Sequence, residues 1–173
     1  MAFCFTSCTL TRPLPLEPFN NTSVQKFETS ELSKFNGDYE IISTDTSSHT
    51  LEHIFTYSWR FHSRNLPGRN DFIRLLVIDD KHIKASLLAN NKVGKTKIIK
   101  GRITNNYFEF HTNHFKFRFI INVYEQQSGR LALSNEGDLY VDVNRGGGAF
   151  LVFMPIPLSF ASDDGYNLKF KRR

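Results

Sequence analysis

Residue types that catalyse reactions occur in this chain, but their spacing matches no catalytic motif. Gly94-Lys95-Thr96 matches the end of a phosphate-binding loop, yet Ala89 stands where that loop needs its first glycine, and we predict a hairpin turn there. The carboxylates of Asp79-Asp80, Asp138 and Asp163-Asp164 fall at predicted turns or strand starts, where Asp bonds to nearby backbone. No Gly-x-Ser-x-Gly elbow marks a nucleophile. We therefore expect no enzymatic activity and no cofactor.

The histidines and the basic residues were considered for two kinds of binding, the histidines for a metal ion and the basic residues for nucleic acid. His111 and His114 flank a predicted turn, but no third ligand lies near them, so we expect exposed histidines and no metal. Lysines and arginines crowd residues 81–102, as in proteins that bind single strands. In FKFRFIINVY, however, the Phe residues alternate to the opposite strand face from Lys116 and Arg118. This pattern favours a solvated basic exterior and makes nucleic acid an unlikely partner.

The composition favours a single all-β domain. The chain has 173 residues, enough for one domain with a real core, and 17 of them are Phe. Large rings pack well on pleated strands, so this excess favours β structure. No apolar run approaches the roughly 20 residues of a membrane-spanning helix. The net charge of +5 permits contact with an anionic surface without requiring it.

The first eight residues predict where the protein is located in the cell. The apolar stretch from Ala2 to Phe5 resembles the end of a signal peptide, and Thr6-Ser7-Cys8 resembles the end of a bacterial lipobox, whose cysteine is lipid-modified. We interpret 1–7 as the remnant of a signal peptide, with Met1 an internal or misassigned start, and 8–30 as the lipid-anchor cysteine and a Pro-rich tether. The alternative is an ordinary N-terminus. Cys4 and Cys8 are the two cysteines, so the body has no internal disulfide.

Period-two alternation predicts most of the body as short antiparallel strands. We predict a short helical or irregular lead-in, a first strand from Gly37, and a helix beginning near Leu51. Strands then follow at 73–77, 83–87, 95–103, 107–111 and 115–123, a turn at 126–129, and strands near 131–133, 139–143 and 149–154. Closing such a meander into an up-and-down barrel removes two exposed edges. We therefore predict an antiparallel β-barrel of about eight strands at 31–160, with 161–173 as a polar basic segment or the last strand.

The order of these segments resembles a known group of proteins. The Gly37-Asp38-Tyr39 start of the first strand, DDKHIKASLL, KTKIIKGRITNNYFEF, RLALSNEGDLYVD and GGGAFLVFMPIP together resemble the lipocalin-like lipoproteins of Bacteroidetes-type bacteria, mostly of unassigned function. The resemblance covers about residues 8–160 and implies a lipocalin-like, or calycin, barrel anchored through Cys8 in the cell envelope, at the outer membrane. Lipocalins carry Gly-x-Trp where Gly37 and Tyr39 stand, and the late basic residue that packs over the Trp is not identifiable from sequence.

The sequence thus predicts a non-enzymatic, lipid-anchored envelope barrel whose partners are the membrane and a small apolar ligand. Protein partners are unassigned. One alternative is a structural or complex-forming surface lipoprotein with a filled barrel, and a second is a basic barrel that binds single-stranded nucleic acid. If a ligand binds, we predict these residues as the barrel walls, although the same residues would serve equally as ordinary core: Phe108, Phe110, Phe117, Phe119, Val141 and Val143.

Overall fold

Eight antiparallel strands in sequential order form one nearly closed barrel. The computed structural model describes residues 24–25, 28–44, 50–56, 71–90, 92–104, 107–116, 121–151 and 157–173. A 3₁₀ helix at Thr29–Phe35 precedes the barrel, and a short helix, α1, spans Leu51–Thr56. The strands are β1 (Gly37–Glu40), β2 (Phe72–Val77), β3 (His82–Ala89), β4 (Lys92–Thr104), β5 (Tyr107–Lys116), β6 (Ile121–Leu133), β7 (Leu139–Leu151) and β8 (Pro157–Phe170). The predicted all-β, up-and-down barrel with a short helical lead-in is confirmed.

The barrel closes between β1 and the end of the chain. The Glu40 amide donates to the Lys171 carbonyl at 2.9 Å, and the Arg173 amide donates to the Asp38 carbonyl at 2.8 Å. The C-terminal residues therefore lie beside β1 as a continuation of β8. Closure satisfies edge groups that would otherwise pair with another chain.

Alternation along the strands separates an apolar interior from a polar exterior. In β2, Ile73 and Leu75 are buried, while Arg74 and Leu76, which alternate with them, are exposed. The 3₁₀ helix adds Leu32 and Phe35 to the same core cluster, and α1 adds Leu51, Ile54 and Phe55. The helix predicted to begin near Leu51 is confirmed. Among the described residues, no helix has the length and apolar content needed to cross a membrane.

Two segments of β5 and β6 differ from the sequence prediction. FKFRFIINVY was expected to form one strand, but β5 ends at Lys116 and Phe115 pairs with Tyr124 on β6, so the chain reverses within this segment. The predicted turn at 126–129 is wrong as well, because these residues lie inside β6 and pair with both neighbouring strands. Glycine is common in turns, which is why Gly129 favoured one in the sequence. In the structure it is needed because the Phe110 ring leaves no room for a Cβ. Alternation defines the faces of a strand without marking where the chain reverses.

Two further details of the strand boundaries differ from the sequence prediction. Gly94-Lys95-Thr96 lies within β4, while the preceding turn lies at Asn90, which adopts a positive φ of 50°. The three glycines at 146–148 lie within β7, which extends to Leu151, so the strand predicted to begin at Ala149 is the end of a longer one. Leu87 packs against the core as the alternation predicts, and the register shift between Ser86 and Leu88 accompanies the burial of Leu88 as well. Such a bulge breaks the period of two.

Candidate functional site

The predicted wall residues that the structure describes lie together in the core. Phe108 and Phe110 on β5 and Val141 and Val143 on β7 belong to one buried cluster, and Phe108 and Val141 are completely inaccessible to solvent. Phe117 and Phe119 lie outside the described residues, and so does the predicted lipidation site, Cys8. The interior of the barrel around Phe108 and Val141 is therefore filled by side chains.

The predicted barrel-base residues, Gly37 and Tyr39, meet a basic residue from the end of the chain. Tyr39 is fully buried, its hydroxyl donates to the Phe35 carbonyl at 3.1 Å, and burial raises its pKa to about 12. Arg172 forms a β-bridge with Tyr39, and its Nη2 donates to the Asn36 carbonyl at 2.6 Å. Its Nε lies 2.9 Å from the position of a Cβ on Gly37, so glycine makes room for the guanidinium. Arg172 is therefore a basic residue that lies beside both Gly37 and Tyr39 at the start of β1.

A polar layer lies on the inner face of β5, β6 and β7, next to the apolar core. The strand register places Thr112 beside Gln127 and Gln127 beside Arg145. Arg145 shares its strand face with the core residues Val141 and Val143, and it is 1% exposed. Gln127 and Glu125, on one face of β6, are each 2% exposed. Burying a polar group costs free energy unless it finds partners, so this layer is an unusual feature of a small barrel.

Lys97 adds a second cation to the barrel interior. Burial lowers the pKa of the Lys97 ammonium, and the charge of Arg145 lowers it further. Strands β5 and β6 separate β4 from β7, so Lys97 and Arg145 influence each other across the interior and not along adjacent strands. Within the described parts of the chain, no carboxylate forms an ion pair with Lys97.

A small pocket connects Lys97 to the apolar core beneath α1. The space between its lining residues is too narrow for a water molecule. Gln127 Nε2 donates to the Ile54 carbonyl of α1 at 2.8 Å, while no described group reaches Gln127 Oε1. The Phe55 and Phe110 rings lie 6.4 Å apart. Apolar and polar side chains share the lining: Ile54, Phe55, Lys97, Ile99, Phe110, Thr112 and Gln127.

The outer face of β2, β3 and β4 combines apolar and basic side chains. The register aligns Leu76, Lys84 and Ile98 in one row across these strands, and all three are exposed. Lys100 and Arg102 are also exposed on β4. This row of Leu76, Lys84 and Ile98, here called the outer row, is a surface where a partner could pack.

Sequence reasoning missed Lys97 and Arg145, although the alternation already contained the signal. Lys97 stands two residues before Ile99, on the face predicted to be inward, and Arg145 stands two residues after Val143. The sequence analysis predicted Lys97 on the basic exterior and did not select Arg145, because charged residues are seldom fully buried.

Other chemistry-bearing residues remain apart in the structure. His111 Nδ1 lies 2.6 Å from Ser128 Oγ, and the side chain of His114 lies outside the described set. Within the described ranges, no three His, Cys, Asp or Glu side chains come together as a metal site. Comparisons with models of protein families, with curated proteins and with solved structures found no match.

Proposed function

We propose that this chain is a non-enzymatic, lipid-anchored barrel of the bacterial cell envelope that binds a small ligand with an apolar body. The pocket beneath α1 is the observation that supports ligand binding. Its apolar wall comes from Ile54, Phe55, Ile99 and Phe110, and a few polar groups converge on the same space. Mainly apolar walls with a few placed polar groups are typical of small-molecule sites.

The size of the pocket limits the ligand and requires α1 to move. The pocket has no room for a water molecule, whereas pockets for drug-sized molecules span roughly 300–1,000 Å³, so the ligand is small. A ligand must therefore displace part of the lining. α1 has six residues, far fewer than the roughly 12–15 that make an isolated helix even marginally stable. It is therefore the lining element that moves at the lowest cost.

Binding is tested with neutral alcohols, from butan-1-ol to octan-1-ol, followed by methyl NMR of Ile54 and Ile99. We expect saturable shifts at both methyl groups. Phe55→Ala enlarges the pocket and should tighten binding of the longer alcohols. Phe115→Ala is the matched control, because this ring is 41% exposed on the outer face of β5. If neither the wild type nor Phe55→Ala shows interior shifts, the barrel does not bind ligands of this kind.

The proposed location is supported by the sequence around Cys8. Small residues precede this cysteine, and Pro13, Pro15 and Pro18 follow it, as expected of a flexible tether. One acyl chain binds a membrane only marginally, whereas two or more hold a protein firmly. Intact-mass analysis of the protein expressed from its natural upstream region, with Cys8→Ala as control, tests the anchor. We expect a mature chain that begins at an acylated Cys8, and an unmodified chain starting at Met1 would refute it.

A structural or complex-forming surface lipoprotein is the second candidate, and the outer row favours it. Leu76 and Ile98 are about half exposed on either side of Lys84, and the described core at the Phe108 end is filled. The double variant Leu76→Ser/Ile98→Ser should then abolish a complex detected by native electrophoresis of envelope fractions, with the fold unchanged. Phe55→Ala should leave that complex intact. If Phe55→Ala abolished the complex and Leu76→Ser/Ile98→Ser did not, the result would favour the pocket as the functional site over the outer row.

A further inference from the structure

We propose that the outer face of β2, β3 and β4 docks on a lipid surface with anionic headgroups. In this arrangement the apolar side chains of the outer row enter the boundary between headgroups and acyl chains, and the lysines beside them lie at the headgroup phosphates. The proposal goes beyond the proposed function. It does not depend on an acyl group at Cys8, because the face belongs to the barrel itself.

The first support is a group of exposed apolar side chains on this face. Leu76 and Ile98 flank Lys84 in the outer row and are 49% and 56% exposed. Ile78 lies two residues after Leu76 and is 52% exposed, and its amide donates to the His82 carbonyl at 2.9 Å, so it continues the same face. In the parts of the chain that the structure describes, six large apolar side chains are exposed, and these three are half of them. Such clustering marks an interaction surface, whereas exposed apolar residues that are scattered singly do not.

Two lysines lie among these apolar residues. Lys84 stands at the centre of the outer row. Lys100 follows Ile98 by two residues and lies opposite His82 in the register. Both lysine side chains are exposed, and within the described ranges neither forms an ion pair. Their charges are therefore available to an anionic partner, while their hydrocarbon stems can lie along apolar surface.

The described carboxylates around this face lie at its borders. Arg74 holds Asp38 of β1 through two hydrogen bonds, at 2.7 Å and 2.8 Å. At the turn between β2 and β3, Asp79 Oδ1 lies 2.8 Å from His82 Nδ1. The border carboxylates are Asp38, Asp79, Asp80 and, on β5, Glu109. The middle of the face thus presents positive charge next to apolar surface.

The side-chain types favour lipid over protein or nucleic acid as the occupant. The centres of protein interfaces are depleted in lysine and enriched in aromatic residues, whereas here Lys84 is central and its neighbours are aliphatic. Single-stranded nucleic acid stacks its bases on aromatic rings, and the outer row has no ring. Aliphatic side chains beside lysines match a membrane interface, where binding combines buried apolar area with attraction to anionic headgroups.

Vesicle flotation tests the proposal on the full chain, expressed without acyl groups. We expect the protein to bind vesicles of equimolar phosphatidylcholine and phosphatidylglycerol at least about tenfold more tightly than vesicles of phosphatidylcholine alone. Binding to the anionic vesicles should weaken as the ionic strength rises from about 0.01 M to about 1 M, because the Debye length falls from about 30 Å to about 3 Å.

Two double variants separate the charged from the apolar contribution. Lys84→Gln/Lys100→Gln should weaken binding to the anionic vesicles about 25-fold, at about fivefold for each basic residue near such a surface. Leu76→Ser/Ile98→Ser should weaken it at least about tenfold, because apolar area no longer leaves water. Thermal unfolding of each variant checks that it is folded.

Matched controls make the same changes elsewhere on the barrel. Lys34→Gln/Lys171→Gln changes the net charge equally, on the 3₁₀ helix and beside β1. Ile42→Ser/Phe115→Ser removes two side chains that are 46% and 41% exposed. Both controls should bind the anionic vesicles nearly as the wild type does.

Several results would overturn the proposal. Equal binding to the two kinds of vesicle would remove the role of the lysines, and a control that weakens binding as much as its matched variant would remove the role of this face. Without vesicle binding, a single-stranded oligonucleotide that binds the wild type and not Lys84→Gln/Lys100→Gln would assign the face to nucleic acid. Without vesicle binding, an envelope complex that is lost in Leu76→Ser/Ile98→Ser would assign it to a protein. None of these results affects ligand binding in the pocket, which the alcohol titration tests separately.

Discussion

A buried ion pair between β6 and β7 gives the sharpest test of how this barrel is stabilised. Arg130 Nε and Nη2 donate to Asp142 Oδ2 at 2.8 Å and 2.6 Å, and the two side chains are 6% and 2% exposed. The ladder between β7 and β8 shifts register between Val141 and Val143, and there the Asn167 amide donates to Asp142 Oδ1. The Arg130 guanidinium also lies 5.3 Å from the centre of the Tyr107 ring.

Asp142→Asn keeps the shape of the side chain and removes its charge, so Arg130 stays buried without the carboxylate. Removing one partner of a buried pair typically costs about 3–5 kcal/mol. That is a large part of the roughly 5–15 kcal/mol that separates folded from unfolded states. At about 2–4 °C per kcal/mol for a chain of this size, Tm should fall by about 6–20 °C.

The double variant Arg130→Met/Asp142→Leu should behave differently. Burial is the largest influence on Asp142 and raises its pKa, outweighing the Asn167 and Arg130 contacts that lower it. Removal from water therefore costs this carboxylate more than its partners return, and an apolar pair of similar volume is expected to be about as stable as the wild type. The ion pair would then serve to fix the register of β7 and β8 more than to stabilise the fold.

Urea denaturation of the wild type, Asp142→Asn and the double variant measures these differences. A loss below about 1 kcal/mol in Asp142→Asn would place the pair among ordinary surface ion pairs and refute the reasoning from burial. A double variant as unstable as Asp142→Asn would show that the pair itself supplies the stability, and that the loss does not come from the buried charge of Arg130 left by its disruption. Unchanged m-values would confirm that the same two states are compared.

The remaining predictions concern close packing and the barrel base. Gly129→Ala should cost about 1–3 kcal/mol in urea denaturation, because a Cβ there would overlap the Phe110 ring, whereas Gly146→Ala, whose nearest neighbours lie 3.7 Å away, should change little. Tyr39→Phe should cost about 0.5–1.5 kcal/mol at pH 8 by removing the buried bond to Phe35. Since the pKa of Tyr39 rises from 10.0 to about 12 on folding, its contribution is complete below pH 10 and disappears as the pH rises to 12. The wild type should therefore lose about 1 kcal/mol more than Tyr39→Phe between pH 9 and pH 11, and equal losses would contradict the assignment.

The fold was largely predictable because alternation is a local signal. Ile73 and Leu75 point inward and Arg74 points outward, as the period of two requires. The same signal misled in FKFRFIINVY, because apolar alternation continues across the reversal between Phe115 and Tyr124. The local sequence also misled at Gly129. A glycine stands there because the Phe110 ring of the neighbouring strand leaves no room for a Cβ, and not because the chain turns. Both errors concern which strand lies opposite, and the sequence of a single strand does not contain that information.

The candidate site was less predictable, because its residues come together only on folding. The spacing of Lys97 from Ile99 and of Arg145 from Val143 placed both side chains on inward faces. Nothing in that spacing showed that strands β4 and β7, which are separated by two others, would bring these cations close enough for one charge to affect the other. The role of Arg172 at Gly37 was hidden for the same reason, since barrel closure brings opposite ends of the domain together.

By itself, the sequence determined the fold class, the up-and-down order of the strands and the inward face of most of them. These follow from hydrophobic periodicity and short connections, which act between residues close in the chain. Tertiary structure alone decided the register, the closure by the C-terminal residues and the pairing of Arg130 with Asp142. It also decided that two cations share the interior with an apolar pocket. These features depend on distances between residues far apart in sequence, and such distances are set when the whole sheet twists and closes.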